Sequence, residues 1–240
     1  MNYQYLRGPL QSRRLGRSLG INVLPCKTCS FNCVYCECGP TDKLTIQRSM
    51  FVQPKKLIEE LDHFLAGQPH LDHITFSGCG EPTLYLGLGE IIQFLHTHYP
   101  SYRAALLTNS SLLRLPAIWD EIQTIDLLVP TLNAVSEKAH QAINRPITGV
   151  TANQIIQSLQ QFSHRFHGKI ALEIFIVPGI NDQDEEILKF KEILPTIRFD
   201  ILHLNHLDRS ASEGWVQIPT RESLEHIRYI LADPRVVIVH

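Results

Sequence analysis

The segment Gly20-Ile-Asn-Val-Leu-Pro-Cys26-Lys-Thr-Cys29-Ser-Phe-Asn-Cys33-Val-Tyr-Cys36-Glu-Cys38 joins a short apolar strand pattern to a cluster of thiols. It holds five of the six cysteines of the chain, and Cys79 stands alone downstream. An odd-numbered cluster of closely spaced cysteines is a poor disulfide framework and a good candidate for a metal site. The segment therefore predicts a strand followed by a metal-binding loop.

The composition is that of an ordinary globular protein. The chain has 240 residues, 44% of them hydrophobic and 19% charged, with a formal net charge of −2. These values exclude disordered, collagen-like and coiled-coil proteins. No apolar run approaches the roughly 20 residues that span a bilayer, and the amino terminus lacks the apolar core of a secretory signal. We therefore expect no membrane segment and a cytoplasmic location.

Away from the cysteines, short apolar strands alternate with helical patterns. Helices are expected from Pro54, over Gly89–His98 and Val135–Ile143, from Thr151, over Glu185–Leu194 and from Thr220. The predicted strands are Gly20–Leu24, His73–Ser77, Tyr102–Thr108, Ile125–Thr131, Lys169–Val177, Phe199–Asn205 and a terminal strand Arg235–Val239. Alternation of this kind implies parallel pairing, in an open doubly wound sheet or a partial barrel.

We expect a single domain over residues 1–240. It divides into an arginine-containing extension over 1–19, the strand and helix units over 20–210, and a terminal helix and strand over 211–240. Polar and small residues follow the strands, and ligands of such folds gather at the carboxyl ends of strands. The groups in these positions are Cys79-Gly80-Glu81-Pro82, Thr108-Asn109-Ser110, Thr131 with Asn133, Pro178-Gly179-Ile180-Asn181-Asp182 and Asn205-His206.

The cysteine loop allows two metal sites. Cys26, Cys29, Cys33 and Cys36 form two CxxC pairs that could bind zinc, but only three residues separate the pairs, against about 15–20 in the usual zinc pattern. Alternatively, Cys29, Cys33 and Cys36 could each bind a different iron of a cubane cluster, which leaves the fourth iron without a protein ligand. That open iron could bind a substrate or cofactor and pass it one electron.

The sequence Cys29-Ser30-Phe31-Asn32-Cys33-Val34-Tyr35-Cys36 resembles the CxxxCxxC signature of the radical S-adenosylmethionine superfamily, with an aromatic residue before the last cysteine. Gly80-Glu81-Pro82 is similar to the end of the Gly-Gly-Glu motif of that superfamily, with Cys79 in place of the first glycine. Further segments resemble the branch that contains wyosine-type tRNA-modifying enzymes, namely Arg13-Arg14-Leu15-Gly16, Asn144-Arg145-Pro146 and Pro178-Gly179-Ile180-Asn181-Asp182.

The resemblance implies an α/β fold, a partial (βα)6 TIM-like barrel with mostly parallel strands. It also implies a [4Fe-4S] cluster on Cys29, Cys33 and Cys36 and S-adenosyl-L-methionine bound to the open iron. One electron would cleave this cofactor and release a 5′-deoxyadenosyl radical that abstracts hydrogen from an unidentified substrate. An external one-electron donor, flavodoxin or ferredoxin, would be the partner, and RNA is one possible substrate class.

The same resemblance suggests which residues contact S-adenosylmethionine. Glu81 can accept hydrogen bonds from the amino group of the cofactor, and Tyr35 can place an apolar ring beside the adenine. The full set of expected cofactor-binding residues is Tyr35, Gly80, Glu81, Asn109, Asn133 and Val177.

Two lumen residues are candidates for catalysis. In the strand Lys169–Val177, Ile170, Leu172 and Ile174 share one face, so Glu173 points to the other face, which is the lumen of a barrel. A carboxylate there must find a cation, a hydrogen bond or a substrate. His203 shares a strand face with Asn205, and we take Glu173 and His203 as the candidate catalytic pair.

A second hypothesis belongs to a different class of protein. Four arginines near the amino terminus form surface ion pairs or contact phosphate of an RNA or nucleotide, and these residues are Arg7, Arg13, Arg14 and Arg17. Together with a four-thiolate zinc site, they would make a zinc-stabilised nucleic-acid-binding protein.

Overall fold

A computed structural model describes residues 3–239 of the chain. Met1, Asn2 and His240, which the predicted single domain includes, lie outside the described residues. The strands are β1 Leu6–Ser12, β2 Gly16–Ile21, β3 Thr28–Cys29, β4 Lys43–Leu44, β5 His73–Phe76, β6 Ala104–Thr108, β7 Leu127–Pro130, β8 Lys169–Phe175, β9 Ile201–Asn205 and β10 Val236–Ile238.

The helices pack outside the sheet and begin where the sequence provides a start signal. Pro54 occupies the first turn of α1, and Thr151 caps α5 in a reciprocal capping box with Gln154. The helices are α1 Pro54–Leu65, α2 Leu88–His98, α3 Pro116–Ile122, α4 Glu137–Asn144, α5 Ala152–Ser163, α6 Asp184–Ile193 and α7 Arg221–Leu231. A short 3-10 turn, Pro82–Leu84, follows β5.

One sheet of eight strands carries the fold, in the order β1-β2-β5-β6-β7-β8-β9-β10. Every neighbouring pair from β2 to β10 is parallel, and β1 is antiparallel to β2. β3 and β4 form a small separate parallel pair in the cysteine loop. The expected α/β architecture with mostly parallel strands is confirmed.

The amino-terminal prediction was wrong in its boundaries. The first parallel strand runs from Gly16 to Ile21 instead of Gly20–Leu24, and β1 precedes it within the segment expected to be an extension. In β1 only Leu6 is buried, because the strand lies at the edge of the sheet. An edge strand without alternating apolar residues gives little periodic signal, and for this reason the hairpin was missed.

The two faces of the sheet differ as the alternation in β8 predicts. Leu172 and Ile174 belong to the large core under the helices, together with Leu128 of β7. On the inner face, Leu15 from the β1–β2 turn packs against Ala171 in a small apolar cluster with Ala105 and Val129. The lumen is therefore filled in part by the hairpin turn. None of the helices in the described part of the chain is long and apolar enough to cross a membrane.

Candidate active site

The cysteine loop is held against the end of α4 by main-chain hydrogen bonds. Asn32 N donates to Asn144 O at 3.0 Å, and Val34 N donates to Ile143 O at 2.9 Å. Arg145 ends α4 in the left-handed conformation, with φ of 42°, and Pro146 then pairs with Phe31 in an isolated bridge. Thus Asn144-Arg145-Pro146 positions the loop that carries the thiols.

Each outer cysteine of the motif accepts hydrogen bonds from its surroundings. Cys29 Sγ accepts from Asn109 Nδ2 at 3.5 Å and from Phe31 N at 3.5 Å, and Cys36 Sγ accepts from Lys27 Nζ at 3.3 Å. Burial raises the pKa of Cys29 to about 12. A hydrogen bond from Cys38 and the nearby Lys27 ammonium lower the pKa of Cys36 to about 5, against the effect of burial. Donors of this kind stabilise thiolates bound to iron.

The remaining cysteines have different neighbours. The Cys26 thiol is exposed and hydrogen-bonds to Cys79, a contact that raises the pKa of Cys26. Among residues 3–239, no three His, Cys, Asp or Glu side chains are grouped closely enough to hold a single metal ion. The exposed Cys26 belongs to no such group in the described residues, so the structure gives no support to the zinc hypothesis, which needs Cys26 as a fourth ligand.

Glu81 joins the loop after β5 to the loop after β6. Its Oε1 accepts from Thr83 N, Thr83 Oγ1 and Thr108 Oγ1 at 3.1, 2.6 and 2.7 Å, and its Oε2 accepts from Asn109 N at 2.7 Å. Burial raises the pKa of this carboxyl, while the hydrogen bonds act in the opposite direction. Glu81 is buried, and because its Oε2 accepts a single bond here, that oxygen keeps a second lone pair that is not used by a protein donor.

Gly80 makes the closest approach between the loop after β5 and the cysteine loop. A Cβ atom at this position would lie 2.0 Å from Thr28 O, and Lys27 N donates to Cys79 O at 2.6 Å. The position that must be glycine is therefore Gly80, so Cys79 does not obstruct the contact despite replacing the first glycine of the motif.

Two of the expected cofactor contacts, Tyr35 and Asn133, lie beside each other. The Tyr35 ring stacks on Phe175, with centroids 3.9 Å apart and planes inclined by 13°. Asn133 Nδ2 donates to Tyr35 Oη at 2.7 Å and to Asn144 Oδ1 at 2.9 Å, and Asn133 Oδ1 accepts from Phe175 N. The amide of Asn133 is thus occupied by protein partners. Its direct contact with a cofactor stays a prediction, and its observed part is to hold Tyr35.

Val177 lies beneath the cysteine loop. Its side chain is fully buried in an apolar cluster that also contains Val34 and Phe175, and its N–H donates to Asn181 Oδ1 at 2.7 Å. Asn181 Nδ2 in turn donates to Asn133 O and Phe175 O at 2.8 Å each. The Val177 side chain has no exposed surface in this structure. Its predicted contact with adenine therefore stays a prediction.

The two candidate catalytic residues, Glu173 and His203, lie side by side on the inner face of the sheet. Glu173 of β8 and His203 of β9 are partners in the parallel register, Asn205 Nδ2 donates to Glu173 Oε2 at 3.1 Å, and Arg14 forms an ion pair with the same oxygen. His203 Nδ1 is buried without a hydrogen-bond partner among the described residues. Burial lowers the pKa of His203, so its imidazole is neutral near pH 7.

The structure therefore joins Asn109 to Cys29 and Glu81, and Asn133 to Tyr35, whereas Glu173 and His203 lie beside each other on the inner face of the sheet.

The structure also adds several residues that were missed. For Arg14 the sequence predicted a surface ion pair or a contact with phosphate, and it gives no sign of a contact with a residue 159 positions away. Asn144 and Asn181 were noted as motif residues without a role. Their position could have indicated a role, because Asn144 is the last residue of α4 and Asn181 follows β8, and a side-chain amide at such a point can bond to nearby main-chain groups.

Comparison with known proteins decides the family. The model of the radical SAM superfamily matches residues 23–190. The chain is also 33% identical over 222 residues to UPF0026 protein MJ1312 of Methanocaldococcus jannaschii, an alignment that covers 92% of this chain and 68% of that protein. The chain is a UPF0026 member of the radical SAM superfamily. It is accordingly a radical SAM enzyme whose substrate is unknown.

Solved structures show the same fold at low sequence identity. A radical SAM methyltransferase from Sphaerobacter thermophilus is 15% identical with a TM-score of 0.67, covering 92% of this chain and 66% of that chain. Streptococcus suis SuiB bound to S-adenosylmethionine is 14% identical with a TM-score of 0.65, covering 90% of this chain and 49% of that one. These likenesses confirm the partial barrel of this radical SAM enzyme.

Proposed function

We propose that this radical SAM enzyme holds a [4Fe-4S] cluster on Cys29, Cys33 and Cys36 and binds S-adenosylmethionine at the iron that no cysteine occupies. The observation that carries the proposal is the contact of Asn109 with both halves of the site. Its amide donates to Cys29 Sγ, and its main-chain N–H donates to Glu81 Oε2. The thiol loop and the buried carboxylate are therefore adjacent.

When bound, the cluster and S-adenosylmethionine supply a 5′-deoxyadenosyl radical, which removes a hydrogen atom from the substrate. The residues of the chain bind and orient. Glu81 would accept from the cofactor amino group, and its Oε2 has only Asn109 N as a donor in the protein. Gly80 permits the close contact of the two loops. Tyr35 on Phe175 presents an aromatic surface, and Asn133 and Asn181 fix the strand end that supports it.

Glu173 and His203 are proposed to face the substrate. Both lie on the inner face of the sheet, and Glu173 is already neutralised by Arg14. His203 Nδ1 lacks a partner among the described residues, and a neutral imidazole can donate or accept one hydrogen bond there. This pair would orient a polar group of the substrate.

A reductant is needed, and we propose flavodoxin or ferredoxin as the external donor of single electrons. The resemblance of some motifs to wyosine-type tRNA-modifying enzymes remains a hypothesis about the substrate, because the curated relative reported above belongs to UPF0026.

The proposal is tested by anaerobic reconstitution with iron and sulfide, followed by measurement of 5′-deoxyadenosine in the presence of S-adenosylmethionine and dithionite or reduced flavodoxin. We expect a brown protein that forms 5′-deoxyadenosine only with a reductant. Cys36→Ala should abolish this product, whereas Cys26→Ala should retain it, since Cys26 contacts Cys79. A fully loaded cluster that never cleaves the cofactor, or equal loss in both variants, would contradict the proposal.

A further inference from the structure

A cavity of about 260 Å³ lies between the β1–β2 hairpin, the inner face of the sheet and the loop after β9. Thr75 of β5 and Leu107 of β6 form part of its wall on the side of the lumen. Glu37, which directly follows Cys36, also lines it. The cavity therefore adjoins both the cysteine loop and the lumen, where a substrate of this enzyme has to lie.

The charged lining of this cavity is mainly basic. Four arginines face two carboxylates, Glu37 and Asp208. The arginines are Arg7, Arg13, Arg14 and Arg209. The chain as a whole carries a formal net charge of −2, so the concentration of guanidinium groups here is a local feature.

Two of the four arginines, Arg7 and Arg209, retain side-chain donors for a ligand, whereas the other two form ion pairs. Arg13 pairs with Asp208 at 3.6 Å and Arg14 pairs with Glu173. The side chain of Arg7, by contrast, bonds to carbonyl groups of its own segment through Nη1 alone, and Arg209 has no ion pair among residues 3–239. Carbonyl acceptors leave the positive charge of Arg7 uncompensated.

Glu37 does not neutralise these charges by a direct ion pair. Its Oε1 accepts from Asp208 N at 3.0 Å and from Arg209 N at 3.2 Å. The carboxylate therefore fixes the loop that presents the Arg209 side chain to the cavity. Hydroxyl groups of Ser18 and Thr75 add polar surface to the same wall.

We infer that the substrate of this enzyme is a small molecule carrying a phosphate or carboxylate group, which Arg7 and Arg209 bind in this cavity with support from Arg13. The inference rests on the proposed function and names the chemical class of its substrate. Planar guanidinium groups bind such oxyanions through paired N–H donors. A small ligand is favoured over a polynucleotide because the four arginines are confined to one recess of about 260 Å³ that also contains two carboxylates, and the chain as a whole carries a formal net charge of −2. Binding of a polynucleotide is typical of a broad positive surface instead.

The test uses the reconstituted, cluster-loaded protein with S-adenosylmethionine present. Inorganic phosphate, succinate and a short single-stranded RNA are titrated by isothermal calorimetry at low ionic strength. We expect saturable binding of phosphate or succinate at one site per chain. Arg209→Gln and Arg7→Gln should each weaken it about tenfold, the loss typical of one charge-assisted contact, and Arg209→Lys should weaken it less.

The matched control is Arg221→Gln, which removes the same charge from the exposed first turn of α7. The inference is overturned if neither phosphate nor succinate binds, if the control variant weakens binding as much as Arg209→Gln, or if RNA binds more tightly than either small anion and Arg7→Gln and Arg209→Gln weaken that binding. Formation of 5′-deoxyadenosine is measured separately on the same preparations. Cofactor cleavage without oxyanion binding would refute this inference alone, and failure of cleavage would refute the proposed function.

Discussion

Glu173 is a carboxylate on the inner face of the sheet, 6% exposed, and Arg14 reaches it from the turn between β1 and β2. A buried charge without a partner costs several kcal/mol, so the contact holds the turn in place as well as the carboxylate. Asn205 adds a neutral hydrogen bond to the same oxygen at 3.1 Å.

Removal of Arg14 should therefore destabilise the chain strongly. We expect Arg14→Leu to lower the free energy of unfolding by about 3 kcal/mol, because it leaves Glu173 buried and uncompensated. The double variant Arg14→Leu/Glu173→Leu should recover much of this loss. Urea unfolding of the purified chain measures both, and a single variant as stable as the wild type would contradict the ion pair.

Because His203 is buried in its neutral form, the stability of the fold depends on pH in a direction that can be stated. Burial lowers the pKa of His203 below its ordinary value of 6.5, so the unfolded chain binds a proton at a higher pH than the folded chain does. The contribution of the neutral His203 to the free energy of unfolding is therefore fully present above pH 6.5. It is lost as the pH falls toward the pKa that His203 has in the folded chain. His140 shows the same direction for the same reason.

The loss of stability between about pH 6.5 and pH 5 should thus be smaller in His203→Asn than in the wild type. Thermal unfolding followed across this range checks the expectation. His70→Asn is the matched control, because His70 is exposed and has no ion-pair partner among the described residues. A His203 variant that retains the full wild-type pH dependence would exclude a lowered pKa at this position.

The orientation of a side chain could be predicted from the sequence only where the pattern of a single strand determines it. The alternation in β8 predicted that Glu173 faces the lumen, and the register of β8 with β9 shows it beside His203. The partner Arg14 was not predictable, because periodicity gives the face of a residue and not its contacts with distant segments. The orphaned Nδ1 of His203 likewise depends on the packing of neighbouring strands.

At the scale of elements, the site depends on how closely two loops approach. The loop after β5 lies against the cysteine loop through Gly80, where a Cβ would meet Thr28 O at 2.0 Å. Glu81 follows directly, so any shift of Gly80 also moves the carboxylate relative to Cys29.

Gly80→Ala should consequently separate the loops. We expect a loss of about 2 kcal/mol or more in unfolding free energy, the size of a steric or strained-backbone effect, and less iron retained after reconstitution. Unfolding curves and iron analysis measure the two effects. Gly214→Ala is the control, since a Cβ there meets nothing within 4 Å. Equal behaviour of the two variants would contradict the role of Gly80.

Strong periodic elements were predictable and weak ones were not. The helix starts at Pro54 and Thr151 were confirmed because first-turn proline and a capping threonine are local signals. Helix α3, Pro116–Ile122, was missed because it is only seven residues long and offers two turns of pattern. The strand β1 was missed because its side chains are mostly exposed.

At the scale of the whole molecule, the β1–β2 turn joins the two sides of the open sheet. Arg13 Nη2 donates to His206 O at 3.1 Å, beyond the end of β9, while Leu15 packs inside against Ala171. The turn therefore fills part of the lumen and leaves the cysteine loop beside the remaining cavity. This arrangement could not be deduced from the sequence, since it brings together strands that lie far apart in the chain.

The fold class was predictable because the order of strands and helices is local information and implies parallel pairing. The cysteines proposed to hold the cluster could be selected from the sequence because their spacing is short and lies in one loop. The chemical class of the substrate was not, since it depends on which arginines from distant segments line one cavity.

The proposed function requires that one iron of the cluster has no protein ligand and binds S-adenosylmethionine. Electron–nuclear double resonance of the reduced, reconstituted protein with ¹⁵N- and ¹⁷O-labelled S-adenosylmethionine measures this directly. We predict hyperfine coupling from the labelled amino nitrogen and carboxylate oxygen in the wild type. A reduced cluster that shows neither coupling with the cofactor present in excess would contradict the account.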